Sequence, residues 1–349
     1  MSRLGTSCRP MKGDQRMAQS WNRDAVLELG RIYQPAAILA AAADLEIFDA
    51  LVRKAQTAAE LAKKLQTDLR GTTLLLDALV ALGLLAKRRG HYALPAKLAG
   101  YLAKDGPQTV LGMAQHQANC LRRWAQLARV VKTGQPAERA ASVRGEAGDL
   151  EAFITAMHNI SGPLAPKIIR AIRPLRFRHL LDLGGGSGTW TLAFLRACPA
   201  ATATLFDLPD VIPMAQRRLA QAKLISRVRL VAGDFYVDPL PAGADLAWVS
   251  AIVHQNSRAE NRRLFASVYQ ALLPGGRVAL RDVLMETDRT QPAAGALFAV
   301  NMLVATEGGG TFTFDELRED LDSAGFRDAA VLRHDPAMNS IVVARKPAA

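Results

Sequence analysis

Four glycines in five positions, Gly184, Gly185, Gly186 and Gly188, follow the run Leu181-Asp182-Leu183. A turn of that composition, set between a strand and a helix, lets main chain approach a ligand that any β-carbon would block. Spacing narrows the ligand. A dinucleotide fingerprint asks for glycine or alanine three residues past Gly186, where Thr189 stands, and no Lys-Ser/Thr pair follows as in a P-loop. The next apolar segment ends at Asp207-Leu208, where a carboxylate can accept from both hydroxyls of a ribose. The one after it ends at Gly233-Asp234-Phe235, an acid for an amino group and a ring for the face of a base. Three successive strand ends of these types point to an adenosine-bearing ligand at the carboxyl edge of a sheet.

The elements that must position these residues are legible as alternation. Strands are expected at 179–183, 203–206, 228–232, 246–249, 276–282 and 341–344, with helices at 189–196, 211–222, 260–272 and 314–324. That order predicts an α/β domain over 176–349, a Rossmann-like fold with a mostly parallel sheet covered on both faces. Residues 21–104 read differently. A capping box at Thr57 and Glu60 opens one helix, an apolar helix runs to Leu82, and 84–94 reads as a hairpin. Helix, helix, hairpin describes a winged helix. Its second helix offers only Arg70 to a groove, so pairing of subunits is expected rather than base readout. Residues 105–175 form a helical connector, with 110–131 expected as one long helix and 150–160 opening another. Residues 1–20 read as a flexible tail.

Taken together, 181–188, 206–209, 233–235, Val253-His254 and 273–277, with 57–62 and 79–85 in the N-terminal half, resemble the bacterial and plant small-molecule O-methyltransferases. The resemblance runs from Trp21 to the C-terminus. It implies S-adenosylmethionine (SAM) as methyl donor, S-adenosylhomocysteine (SAH) as product and no metal. It also implies a small, aromatic or polycyclic hydroxyl acceptor and a homodimer paired through the N-terminal domain. Family roles then fall on Gly184 and Gly186 at the methionine end, Asp207 with Leu208 at the ribose, and Asp234 with Phe235 at the adenine. Ser250 stands where the family commonly has lysine and is set with the cofactor residues. His254, just past the fourth strand, takes the place of the general base, and Asp282, ending the fifth, that of the acid that steadies it.

A phenol-like hydroxyl, with pKa near ~10, is a poor nucleophile until its proton leaves, and a neutral imidazole can take that proton. Three departures from the family bear on the acceptor. His254 is followed by Gln255-Asn256 instead of Asp-Trp, Ser250 replaces lysine, and Gly308-Gly309-Gly310 replaces the segment carrying a second acid, leaving adjacent Glu307 to substitute. The acceptor pocket is expected between the domains, with Met157, His158, Asn301 and Met302 as its candidates.

A formal net charge of +12 is spread along the chain, so a solvated basic surface is expected and no nucleic-acid partner. Three distant cysteines, Cys8, Cys120 and Cys198, give neither metal spacing nor a disulfide framework. With no apolar run of about 18 residues and no apolar core in the first twenty, neither a membrane span nor a signal peptide is expected, and the location expected is cytoplasmic. Three alternatives stay open here: carbon or nitrogen methylation on the same scaffold, a SAM-responsive DNA-binding regulator, and a nicotinamide-linked enzyme.

Overall fold

The computed structural model describes residues 21–172 and 176–348; the expected tail, with Cys8, lies outside the described residues. In the N-terminal half, alanine-rich Tyr33–Asp44 buries Ala40, Ala42 and Ala43, and these small side chains let it pack closely on Leu69–Ala81 and Leu111–Trp124. Helix Ala58–Leu65 starts on the expected capping box: Glu60 N–H donates to Thr57 Oγ1 at 3.2 Å, and Thr57 N–H to Glu60 Oε2 at 2.7 Å. Helix Leu69–Ala81 and the hairpin Ala86–Arg88/His91–Ala93 follow, and the two-residue strand Gln56–Thr57 pairs with the hairpin's second strand. Phe48, Leu51, Leu61, Leu76, Leu79 and Tyr92 form the core of this half.

The connector differs from expectation at one point. The single long helix expected over 110–131 is two, Leu111–Trp124 and Leu127–Thr133. The cause is tertiary. Trp124 Nε1–H is drawn to Asn301 Oδ1 at 2.8 Å, and the Gln126 amide grips the main chain of Glu138, donating at 3.0 Å and accepting at 3.0 Å. Those contacts stabilise a turn that local propensity alone does not favour. The next helix, Gly145–Ser161, packs along Leu111–Trp124.

The large sheet is built from β1 (His179–Leu183), β2 (Thr202–Asp207), β3 (Val228–Ala232), β4 (Ala244–Ser250), β5 (Leu272–Asp282), β6 (Arg327–Arg333) and β7 (Ser340–Arg345). Their spatial order is β6-β7-β5-β4-β1-β2-β3; β1 to β5 are mutually parallel and β7 runs antiparallel to both β5 and β6. The α/β class and the mostly parallel sheet are as expected. Strand β6 was not, because Arg327–Arg333 is a largely exposed edge without apolar alternation and with two register shifts. The two faces carry separate cores. Leu183, Val249, Val278 and Leu280 pack toward helices Arg258–Ala271 and Phe314–Ser323, whereas Leu180, Trp248 and Ala279 pack toward Thr189–Ala197.

Helix Arg258–Ala271 is clamped to its neighbour by charge. Buried Asp320 accepts from Arg258 Nε at 3.0 Å, Arg258 Nη2 at 2.8 Å and Arg262 Nε at 2.7 Å. Asp320→Ala leaves two guanidinium groups without that acid, so a loss of about 2 kcal/mol is expected, reduced from a fully buried pair because both arginines reach water. Urea titration measures it, and an unchanged midpoint removes the clamp from the account.

Candidate active site

The parallel strands end together, and the glycine turn leaves the first of them. Gly184 has φ +60° and Gly186 φ +56°, the left-handed region that glycine adopts without a steric cost. A β-carbon on Gly184 would sit 2.7 Å from Ile252 Cδ1, so that position is closed to larger residues, while one on Gly186 would meet nothing within 4 Å. Open space therefore lies over the turn. At the end of β2 the Asp207 carboxylate accepts from Gly186 N–H and from Leu208 N–H, each at 2.7 Å, which ties the second strand end to the turn. Burial pushes the Asp207 carboxyl above its ordinary pKa, against those two donors. Leu208 itself is exposed. After β3, Asp234 Oδ1 accepts from Tyr236 N–H at 2.9 Å, and the Phe235 ring edge lies 3.8 Å from where a Gly184 β-carbon would be. Thus the glycine turn, Asp207 and Phe235 do come together.

Beneath the turn Asp182 is fully enclosed and accepts from Thr191 N–H at 3.0 Å and Thr191 Oγ1–H at 2.6 Å. Burial pushes its carboxyl up to about 7, opposed by the Thr191 donors. It fastens the first turn of helix Thr189–Ala197 to β1.

Past β4 a one-turn helix, Val253–Gln255, presents His254. Both oxygens of Asp282 lie 2.9 Å from His254 Nδ1, and Asp282 Oδ1 also accepts from Val283 N–H at 2.8 Å. An ionised carboxylate only accepts, so Nδ1 carries the hydrogen and Nε2 keeps its lone pair. Asp282 is 3% exposed at its side chain and His254 12%, so the pair is shielded from water without being sealed. The Phe298 ring meets His254 edge-on, centroids 4.8 Å apart. Glu307, the other acid considered for this role, is exposed and forms neither hydrogen bond nor ion pair with His254 among the described residues. The glycines that follow it pack on the histidine loop. Gly310 N–H donates to His254 O at 2.8 Å, and a β-carbon on Gly309 would sit 2.6 Å from that same oxygen, so position 309 is closed to larger residues.

The acceptor candidates fare unevenly. Met157 is half-buried on helix Gly145–Ser161. His158 has both ring nitrogens engaged within the protein, with Thr189 Oγ1 at 2.8 Å and Arg218 Nη1 at 2.6 Å, which corrects the expectation that it meets the acceptor. Because Arg218 must donate, Nε2 accepts and Nδ1–H donates to Thr189; burial, then the Arg218 charge, brings its pKa down to about 4. Asn301 accepts from Trp124, and Met302, one residue round its helix, is buried in the interior. Ser250 Oγ accepts from Arg281 Nη1 at 3.1 Å on the opposite face of the sheet from His254. That guanidinium is 3% exposed, stacks on Trp190 at 4.8 Å and donates to Asn339; burial lowers its pKa to about 10. A recess of about 420 Å³ lined by Arg176, Asp245, Gly275 and Arg277 opens at the amino ends of β1 and β4, away from this site.

Sequence reasoning passed over the residues that hold the histidine loop. Asn256, fully buried, donates to Asn261 Oδ1 at 3.0 Å and accepts from the Tyr236 hydroxyl, and Asn261 donates to Val253 O at 3.0 Å. The one available signal was Asn256 itself, a polar residue where the resembling family has a large ring.

Residues 126–327 match the model of the O-methyltransferase domain. The chain belongs to the O-methyltransferase family. Residues 30–103 of this methyltransferase match the O-methyltransferase dimerisation domain. It is 32% identical over 314 residues to 3-hydroxy-5-methyl-1-naphthoate 3-O-methyltransferase of Streptomyces sahachiroi, covering 88% of this chain and 91% of that relative. Among solved structures, PigF with SAH has a TM-score of 0.81 at 25% identity, covering 93% of the methyltransferase and 100% of that chain. Human N-acetylserotonin methyltransferase in complex with SAM has a TM-score of 0.76 at 27% identity, covering 95% and 100%. Membership makes the chain an enzyme, an O-methyltransferase by family, ahead of the regulator and nicotinamide readings. No described helix is long and apolar enough to cross a membrane.

Proposed function

We propose that this methyltransferase moves the methyl group of SAM to a hydroxyl of a small aromatic or polycyclic acceptor, with His254 as general base. The observation that carries the reading is the contact of His254 Nδ1 with both Asp282 oxygens at 2.9 Å, which leaves Nε2 as the proton acceptor. SAM, when bound, supplies an electrophilic methyl on a sulfonium, displaced in line. The chain's own part is to orient the acceptor, exclude water and hold the hydroxyl proton on Nε2 as the oxygen–carbon bond forms. Gly184 and Gly186 line the methionine end, Asp207 with Leu208 holds the ribose, and Asp234 with Phe235 frames the adenine. Ser250, expected among the cofactor residues, accepts from Arg281 on the other face of the sheet and is left out of this set. The open space over Gly186 and the clustering of Asp207 and Phe235 around the turn fit such a ligand. An aromatic acceptor fits the Phe298 ring beside His254, and two relatives are named for hydroxylated aromatic substrates.

The division into 21–104, 105–175 and 176–349 goes with this reading, the first part pairing two copies. Ile32, Tyr33 and Leu74, 71%, 55% and 55% exposed in the single chain, supply apolar surface for that pairing.

Isothermal titration with SAH tests the cofactor half. Asp207→Ala removes a charged acceptor, so affinity is expected to fall roughly 10- to 100-fold. Absence of SAH binding by the parent protein would sink the whole reading, and unchanged affinity in the variant would move the ribose elsewhere.

A further inference from the structure

A run of buried hydrogen bonds joins two loops of the candidate site. Val253 O accepts from Asn261 Nδ2 at 3.0 Å, Asn261 Oδ1 from Asn256 Nδ2 at 3.0 Å, and Asn256 Oδ1 from the Tyr236 hydroxyl. Asn256 and Asn261 are fully buried. A carbonyl only accepts, so the Val253 end fixes the direction of every bond in the run. Asn261 must donate there, which turns its oxygen to Asn256 and leaves the Asn256 oxygen for a donor. Tyr236 is that donor. Burial, with the charges of Glu260 and Asp234, pushes its hydroxyl up to about 12, so the proton stays on.

The two ends of the run belong to different parts of the site. Tyr236 follows Phe235, whose ring edge lies 3.8 Å from where a Gly184 β-carbon would be, and the two rings pack with centroids 4.6 Å apart. Asp234 Oδ1 accepts from Tyr236 N–H at 2.9 Å, so the hydroxyl is carried by that same turn. At the other end, Val253 precedes His254 in the one-turn helix, and Asn256 N–H also donates to Val253 O, at 3.3 Å. Asp282 holds the imidazole and Gly310 N–H the His254 carbonyl. The Tyr236 run holds the residue before. Where the resembling family has a large ring, Asn256 supplies bonds that fix angle as well as distance.

We propose that Tyr236 and Asn256 are positioning residues, which tether the base loop to the turn after β3 and so set where His254 Nε2 stands. The inference rests on the reading of His254 as base and of Phe235 as part of the adenine frame. It adds that cofactor loop and base share an anchor, the Tyr236 hydroxyl.

Tyr236→Phe keeps the ring and leaves the buried Asn256 oxygen without its donor. In the full chain, kcat toward weakly acidic phenols such as hydroxynaphthalenes is expected to fall roughly 10- to 100-fold, as when a catalytic group is displaced. KM for the acceptor and SAH affinity are expected to stay as in the parent. The loss is expected to shrink for a nitro-substituted phenol, which arrives ionised and needs no base. Added to His254→Ala, Tyr236→Phe is expected to cost nothing more. Asn256→Leu, which fills the space without either bond, is expected to show the same pattern, and the two variants combined no larger loss. With no ligand present, hydrogen exchange of the amides over 252–257 is expected to quicken in Tyr236→Phe. Unchanged kcat or exchange, a loss equal for both kinds of phenol, or one that multiplies with that of His254→Ala overturns the inference and leaves the hydroxyl-acceptor reading standing. Weakened SAH binding by Tyr236→Phe also overturns it, by placing the hydroxyl's role in the cofactor site. Methylation of no phenol by the parent overturns that reading and the inference with it.

Discussion

His254→Ala is expected to lower kcat toward a simple phenol by about 10²–10⁴-fold, the range for a well-placed general base. SAH affinity is expected to stay as in the parent, because the hydrogen bonds of Asp207 run to Gly186 and Leu208 and, among the described residues, none involves the imidazole. The size of the loss should depend on the acceptor. A phenol with pKa near ~10 arrives protonated and needs the base, whereas a nitro-substituted phenol, already ionised near neutral pH, does not. Plotting the loss against acceptor acidity therefore separates a proton acceptor from a residue that only shapes the pocket. A base gives a loss that shrinks as the phenol becomes more acidic; a packing residue gives a constant one. Turnover equal to the parent's toward the weakly acidic phenols would remove His254 from the chemistry.

The residues that meet the cofactor were legible because each sits at the end of a strand whose apolar run is readable in the text. Asp207, Gly233 and His254 inherit their positions from β2, β3 and β4, so a linear pattern was enough to gather them. Side chains whose partners come from distant elements were not legible. His158 looked available for an acceptor, but Thr189 and Arg218, thirty-one and sixty residues away, occupy its two nitrogens. Trp124 falls inside the long helix expected over 110–131, yet its indole N–H bonds Asn301, 177 residues on, and that contact breaks the helix. Ser250 looked like a position facing the cofactor. Alternation along β4 sends it instead to the face of Trp248 and Arg281, since residues two apart share a side. The same alternation sets Arg281 and Asp282, neighbours in sequence, on opposite faces of β5, one stacked on Trp190 and the other on the histidine. Periodicity in the text gives the faces of a strand but not which face holds the chemistry.

Asp282→Asn keeps the shape of the pair and changes its hydrogens, and kcat is expected to fall about 10²-fold or more, as when the orienting acid of a catalytic histidine is neutralised. Asp282 Oδ1 already accepts from Val283 N–H at 2.8 Å, so the amide oxygen of asparagine takes that place and its NH₂ takes the place of Oδ2. There the NH₂ stands 2.9 Å from His254 Nδ1, as close as the amide oxygen that remains, so a donor repels Nδ1–H where a second carboxylate oxygen had attracted it. That repulsion shifts the imidazole toward the tautomer with its hydrogen on Nε2, the atom meant to accept the hydroxyl proton. Asp282 thus acts through His254, as a positioning residue, and a double-variant cycle tests that role. If the acid works only through the imidazole, His254→Ala with Asp282→Asn is no slower than His254→Ala alone, a non-additivity expected of residues that act as one unit. A merely structural role for Asp282 gives independent losses that multiply. Multiplying losses, or a lone Asp282→Asn variant as fast as the parent, would remove the tautomer argument on which the base assignment of Nε2 depends.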